Sequence, residues 1–430
     1  MNSFNCHKAS LSASALLSLL VLAGLSVSNA DTKGVTLGGA GWMQYGFIGH
    51  SQDSTLDKKS LYQSGAQLSS DANLSEELKV QAALGVAAGH SLAGSLNSAG
   101  GYAPMGVGPY VANAYFSYAF TKSEKSNIYI KGGLFPYDYN PDVHNLGLYL
   151  LRGPVYPGFL ISSFENKAVL PVANLMGFQF HVNFGQMSND LIISSDVEFL
   201  PYFDISPAYV TSYQFGKTFR LGGGINLYHM IEADKKVVKV LNENAADTLD
   251  LPFKGIKLMV NASFDAKALF GYSEVFGSED LKIYSEVALM GIKNTALYKE
   301  VYGDNLHRMP MMFGFNIPVF KYLDKLSIET EWYGAKFKDD LSQFDHTAGN
   351  KPSAKTVLNP NENNKRDNWK WSLYASKVIQ QHLKLSLQLA NDHYRPGVYT
   401  GDGDNHPPSS NTVTTTPKDW YAMTKLAYFF

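Results

Sequence analysis

Hydrophobic and polar residues alternate with a period of two along most of the chain. The segment "GFQFHVNF" carries apolar residues at every second position from Phe178 to Phe184, and "HLKLSLQLA" does the same from Leu383 to Leu389. In "VANAYFSYAF" the pattern places Ala112 on the same face as Phe116 and Phe120. Successive side chains of a β-strand point to opposite faces, so each segment predicts a strand with one apolar face. Alternation over about ten residues is typical of strands that cross a membrane within a barrel.

Applied to the whole chain, this pattern predicts an all-β transmembrane antiparallel β-barrel of about sixteen strands, within a range of fourteen to eighteen. An even number agrees with the closed bacterial barrels. The predicted strands are 35–49, 60–70, 74–90, 108–120, 126–135, 174–185, 191–198, 205–215, 217–228, 253–264, 281–292, 310–319, 325–337, 367–378, 382–394 and 418–430.

The connections between these strands alternate between long and short. If both termini are periplasmic, the long connections face outward and the short ones face the periplasm, as in bacterial barrels. Two segments depart from the rule: 199–204 is short for an outside loop, and 265–280 is long for a periplasmic turn. The segment 265–280 accommodates either a short helix or an extra strand pair, and an extra pair would give eighteen strands.

The N-terminus has the three parts of a secretory signal peptide. Lys8 supplies a positive charge, "LSASALLSLLVLAGLSV" is the apolar region, and "SNA" ends on a small residue. We therefore predict a signal peptide over 1–30, cleavage after Ala30, and a single barrel domain over 31–430. A membrane anchor is the alternative, but the apolar region is short for a spanning helix.

Composition narrows the function classes. The chain is 13% aromatic and 17% charged, with a formal net charge of −2, so no basic surface suited to nucleic acid is expected. The single cysteine, Cys6, lies in the predicted signal peptide, which leaves no disulfide or thiolate chemistry. No catalytic residues, cofactor or metal site are predicted. After Ala30 the chain is either a secreted soluble β protein or a membrane barrel.

The polar faces of the strands predict a charged lumen. The basic side chains expected to line it outnumber the acidic ones. They are Lys131, Arg220, Lys257, Lys282, Lys370, Lys384 and Lys425, against Glu286, Glu329 and Glu331.

The exported cysteine-free chain, the sixteen alternating strands, the loop rhythm and the ending "WYAMTKLAYFF" together resemble the Gram-negative outer-membrane porins. The resemblance implies a location in the outer membrane and contact with its lipid. It also implies recognition of Leu426, Tyr428 and Phe430 by the barrel-assembly machinery, and it is compatible with a homotrimer.

The third outside loop, 136–173, is the longest of the outside loops, and in general porins this loop folds into the lumen. Its charged residues Asp138, Asp142, Arg152 and Glu165 would then form a constriction; the alternative is a loop that caps the rim. The chain lacks the acidic loop motif of general porins, so pore size does not carry over. Acids on an inserted loop facing a basic wall would favour anions mildly, unless these charges pair with each other.

The predicted function is passive diffusion of small hydrophilic solutes or ions through an outer-membrane channel. The alternative is a non-conducting structural or adhesive barrel that displays its long loops outside the cell.

Overall fold

The computed structural model describes residues 34–51, 57–58, 60–89, 106–123, 126–144, 173–195, 203–233, 238–241, 248–251, 255–271, 274–289, 291–292, 305–332, 369–391 and 418–430. The predicted signal peptide 1–30 and its cleavage site lie outside these residues, as do Arg152 and Glu165 of the predicted constriction.

Strands dominate the described residues. Their bounds are β1 Val35–His50, β2 Ser60–Asn73, β3 Leu78–Gly89, β4 Gly106–Lys122, β5 Ser126–Tyr137, β6 Ala173–Phe184, β7 Met187–Ser195, β8 Ile205–Phe215, β9 Phe219–Tyr228, β10 Val238–Leu241, β11 Thr248–Leu251, β12 Gly255–Asp265, β13 Lys282–Leu289, β14 Met311–Asn316, β15 Lys325–Trp332, β16 Trp369–Ile379, β17 Leu383–Ala390 and β18 Trp420–Phe429. A four-residue helix, α1, spans Lys267–Phe270, and a 3-10 turn spans Asn305–Arg308. No helix in the described part of the chain is long and apolar enough to cross a membrane.

Sixteen strands close into one antiparallel barrel. Each pairs with its sequence neighbour, β9 pairs with β12, and β1 pairs with β18 to complete the ring. The strands β10 and β11 form a separate hairpin between β9 and β12. The sixteen-stranded all-β barrel predicted from the alternation is confirmed.

The barrel has two distinct ends. One carries the short connections, such as 185–186, 216–218 and 380–382, and is called the turn end here. The other carries the long connections, such as 138–172 and 333–368, and is called the loop end.

The closing seam joins the last residue of the chain to the first strand. Gly39 N donates to Phe430 O at 2.9 Å and Phe430 N donates to Gly39 O at 3.1 Å. A Cβ on Gly39 would lie 2.5 Å from the Phe430 ring, so the glycine leaves room for that ring over β1. Closure gives both edge strands a partner, which removes the free edges that an open sheet would expose.

The two faces of the barrel differ sharply in chemistry. The outer face is apolar: Phe178 is 51% exposed and Phe313 is 50% exposed. The inner face carries charge, and Glu286 and Lys257 are 2% and 1% exposed. The alternation therefore sorted most side chains to the correct face.

Three details differ from the sequence prediction or resolve it. Strand β7 begins at Met187 rather than at 191, because a tight turn at Gly185, with φ +62°, lets the polar run after it join the ladder. Ala112 is an extra residue at a β-bulge opposite Ala83 and Leu84 and is fully buried, so its predicted exposure on the face of Phe116 is wrong. The long turn-end segment holds helix α1.

Candidate functional site

A segment of the third long connection lies inside the barrel. Residues 138–144, called the docked segment here, follow β5 and contact strands on the far side of the ring. Tyr139 donates from its hydroxyl to Glu286 Oε1 at 2.6 Å, and Asn140 Nδ2 donates to Glu286 Oε2 at 2.6 Å. Glu286 lies on β13. Thus both carboxylate oxygens of this buried acid hold the docked segment.

The docked segment has its own local fold. Asn140 N donates to Asp138 Oδ1 at 2.9 Å, the side chain-to-backbone turn that aspartate commonly forms. Val143 N then donates to Asn140 O at 3.2 Å across Pro141, which presets one backbone angle of the turn. This turn reverses the chain inside the lumen and presents the carboxylate of Asp142 to the wall.

Asp142 is held between two bases. Arg220 donates to its Oδ2 at 3.0 Å, and Lys282 Nζ lies 3.3 Å from its Oδ1. Arg220 also donates to Asn140 Oδ1 at 2.8 Å. Burial alone would raise the pKa of Asp142, but the charges of Arg220 and Lys282 outweigh it and hold the pKa below its ordinary value. The carboxyl is therefore ionised, and its negative charge is paired with these two bases.

The end of the docked segment reaches the wall opposite β5. His144 N donates to Glu329 Oε1 at 2.7 Å, and Lys325 Nζ lies 3.2 Å from His144 Nδ1. Both partners lie on β15, eight strands from β5 in either direction around the ring. Burial lowers the pKa of His144 well below its ordinary value, and Lys325 and other nearby lysines lower it further. His144 is therefore neutral, with Nδ1 accepting from the ammonium group.

The turn-end connection between β12 and β13, which holds helix α1, contributes further ion pairs to the charged residues around the docked segment. Glu279 bridges Lys282 at 2.9 Å and Lys325 at 3.3 Å. Lys267 of helix α1 donates to Asp265 and to Ser278 O, both at 2.6 Å, and so fixes the connection that carries Glu279. Ion pairs therefore run without a break from the docked segment to the turn end.

The wall formed by β4 to β7 has a different character. Lys131 Nζ lies 5.8 Å from the Tyr115 ring and 5.3 Å from the Tyr129 ring. Tyr129 stacks on His181 at 4.5 Å, and His181 Nδ1 lies 2.7 Å from Asp190. The lysine is framed by aromatic rings rather than by carboxylates.

The other residues predicted to line the lumen lie on its inner face. Lys257 Nζ is 4.8 Å from the Tyr228 ring, and Lys425 Nζ is 5.1 Å from the Trp42 ring. Lys370 and Glu331 are 1% and 0% exposed. Lys384 is partly exposed on the inner face of β17.

Of the predicted constriction residues, Asp142 contacts the far wall and Asp138 shapes the turn. Sequence reasoning did not single out Tyr139, Asn140, His144 or Glu279. The stretch "DYNPDVHN" offered one signal, because it combines turn residues with ring and amide donors in a chain region otherwise rich in leucine.

A buried polar cluster at the loop end is structural. Asp204 Oδ2 lies 3.1 Å from His229 Nδ1, and both side chains are 0% exposed. Ser206 Oγ accepts from His229 N at 2.9 Å, so this hydroxyl faces the backbone of the histidine and not its ring. A serine nucleophile would have to donate to the ring. Among the described residues, no group of three or more His, Cys, Asp or Glu is arranged to hold a metal ion.

No protein-family model and no curated protein matches the chain. Among solved structures, several mutants of the porin of Rhodopseudomonas blastica are similar. One aligns at 8% identity over 92% of this chain and 100% of its own, with a TM-score of 0.43, and another at 7% identity with the same coverage and a TM-score of 0.44. Strand pairing itself gives the architecture: the described residues form a closed β-barrel of sixteen antiparallel strands.

Proposed function

We propose that this protein is an outer-membrane channel for passive diffusion of small hydrophilic solutes or ions. The observation that carries the proposal is a closed barrel with an apolar outer face and a charged inner face, into which the docked segment folds. An apolar exterior suits contact with lipid, and a polar interior suits water and dissolved solutes.

In this proposal the pore lining comprises Lys131, Arg220, Lys257, Lys282, Glu286, Glu329, Glu331, Lys370, Lys384 and Lys425, with Asp138 and Asp142 at the constriction. Export by the signal peptide and assembly through Leu426, Tyr428 and Phe430 belong to the same proposal. The hydrogen-bonded place of Phe430 in the seam supports a role for the last strand in closure. A homotrimer would leave these inner features unchanged.

The channel mechanism is sieving by width and by charge, with no bond made or broken. Asp142 is already paired with Arg220 and Lys282, so a transverse field between an acidic loop and a basic wall is weakened at this position. Selectivity would then depend on the bases that lack such partners.

One observation favours the alternative of a non-conducting structural or adhesive barrel. Inner side chains near the loop end, such as Glu331 and Ser206, are 0% exposed. A lumen filled at that level would not pass solutes.

Planar-bilayer recording of the purified, refolded chain decides between the two. Discrete conductance steps are expected for the channel, and their reversal potential in a salt gradient reports selectivity. A folded barrel that inserts but gives no steps at any voltage would favour the structural alternative. Heat-denatured protein is the control for leakage caused by detergent.

A further inference from the structure

Solvent exposure changes along the inner face of single strands. On β8 the inward side chains Ser206, Ala208 and Val210 are 0%, 3% and 6% exposed, whereas Ser212 and Gln214, nearer the turn end, are partly exposed. The environment within the lumen therefore differs between its two ends.

The same gradient occurs on strands far from β8. On β17, which runs in the opposite direction, Ser386 near the turn end is partly exposed and Ala390 near the loop end is 0% exposed. On β5, Lys131 is partly exposed and Phe135 is 0% exposed. The gradient therefore holds on β5, β8 and β17. On β13 to β15, which the docked segment contacts, the inward side chains Tyr284, Asn316 and Ser327 near the turn end are 1%, 1% and 0% exposed, so the gradient is not uniform around the ring.

The half of the lumen near the turn end carries an excess of positive charge. Its partly exposed bases are Lys131, Arg220, Lys282, Lys325, Lys384 and Lys425. Its acids are fewer. Asp142 pairs with Arg220, Asp190 with His181 and Glu279 with Lys325, whereas Asp71 on β2 is partly exposed and is influenced by the charge of Lys79.

Two of these bases differ from the others in their distance from carboxylates. Among the described residues, neither Lys131 nor Lys384 lies within ion-pair distance of a carboxylate. A water-filled cavity with low-dielectric walls and charge of one sign concentrates counter-ions.

We propose that the lumen is a basic vestibule that opens at the turn end, closes toward the loop end, and takes up small anions such as inorganic phosphate or short carboxylates. This deepens the proposed function, because it names the solutes that the lumen admits and the end at which they enter. Passage through the barrel then requires a rearrangement of the buried inner layer at the loop end.

Cysteine labelling tests the geometry, since residues 31–430 contain no cysteine. Two matched pairs are suitable: Ser212→Cys with Ala208→Cys on β8, and Ser386→Cys with Ala390→Cys on β17. Ser123→Cys in the exposed turn after β4 serves as the reference. Circular dichroism and resistance to unheated detergent verify that each variant is folded.

The full chain is treated with two small thiol reagents, one bearing a sulfonate and one bearing a trimethylammonium group. We expect Ser212→Cys and Ser386→Cys to react, and their loop-end partners to react at least about tenfold more slowly. Relative to Ser123→Cys, the sulfonate reagent should react about threefold faster than the cationic one at the two vestibule positions, and 1 M salt should abolish that preference.

Equal reaction rates within each pair would overturn the closed vestibule. Equal rates of the two reagents at low salt would overturn its basic character. These outcomes are separable from channel function: conductance steps together with fast labelling of Ala208→Cys would leave the channel standing and remove the vestibule. Slow labelling of Ala208→Cys without any conductance would leave the vestibule standing and remove the channel.

Discussion

The Tyr139 hydroxyl donates a 2.6 Å hydrogen bond to Glu286 Oε1, which joins residues 147 positions apart in the chain. Asn140 binds the other oxygen of the same carboxylate. Glu286 thus acts as an anchor for the docked segment, although its place on a strand suggested only a lining charge.

Tyr139→Phe and Glu286→Gln are expected to be coupled. A hydrogen bond to a buried charged group contributes about 1.5–3 kcal/mol. The double-mutant cycle should therefore give an interaction free energy of about 1–2 kcal/mol, measured by urea unfolding in lipid vesicles.

The matched control pairs Glu286→Gln with Tyr213→Phe, whose ring lies on the outer face and is 41% exposed. That cycle should show no coupling beyond error. Additive effects of Tyr139→Phe and Glu286→Gln would contradict the anchor.

Asp142→Asn should raise anion permeability. The substitution removes the negative charge that Arg220 and Lys282 now share, so Arg220 loses this carboxylate while Lys282 keeps its ion pair with Glu279. We expect the anion-to-cation permeability ratio to rise about twofold in 0.1 M salt, and the change to shrink at 1 M salt because the Debye length falls to about 3 Å.

Asp265→Asn is the control, because Asp265 pairs with Lys267 of the turn-end helix. This variant should leave the reversal potential unchanged. An Asp142→Asn channel with unaltered selectivity would show that these three charges do not act on permeating ions.

The free energy of unfolding should decrease as the pH is lowered, because His144 titrates. The pKa of His144 is lowered in the folded protein, so below about pH 6.5 the unfolded chain binds a proton that the folded chain does not. The free energy of unfolding should therefore decrease on acidification, with a slope of at most about 1.4 kcal/mol per pH unit, until the pH reaches the folded pKa.

His144→Gln should flatten this slope between pH 5 and 7, as measured by urea unfolding at several pH values. Gln381→Asn, at an exposed turn between β16 and β17, is the control and should leave the slope as it is, because it removes no titratable group. A slope that persists in His144→Gln would assign the pH dependence to other groups.

Gly39→Ala should weaken the closing seam. Its Cβ would lie 2.5 Å from the Phe430 ring and 2.6 Å from the carbonyl oxygen of Gln67, so the last residue would have to move. Overpacking of this kind costs about 1–3 kcal/mol, and the thermal unfolding temperature should fall.

Gly223→Ala is the matched control, because the only nearby atom, Met259 O, is 3.4 Å from the added Cβ. That change should leave the unfolding temperature almost unaltered. If both variants unfold at the wild-type temperature, the contact of Phe430 with Gly39 does not stabilise the seam.

The strands and their faces followed from the sequence, because strand geometry makes side-chain direction a local property with a period of two. Phe178 and Phe313 were therefore placed outside, and the bases and acids of the wall inside, from their positions alone. The alternation failed at Ala112, where a bulge inserts one residue and reverses the order of the faces.

The partners of the docked segment were decided by the tertiary structure alone. Closing sixteen strands into a ring brings β15 opposite β5, and this is what sets His144 beside Lys325 and Glu329. No local pattern encodes such a distance across the lumen, since it depends on the number of strands and on their tilt. For the same reason the sequence showed that the wall is charged, whereas only the assembled barrel showed which charges pair and which remain exposed.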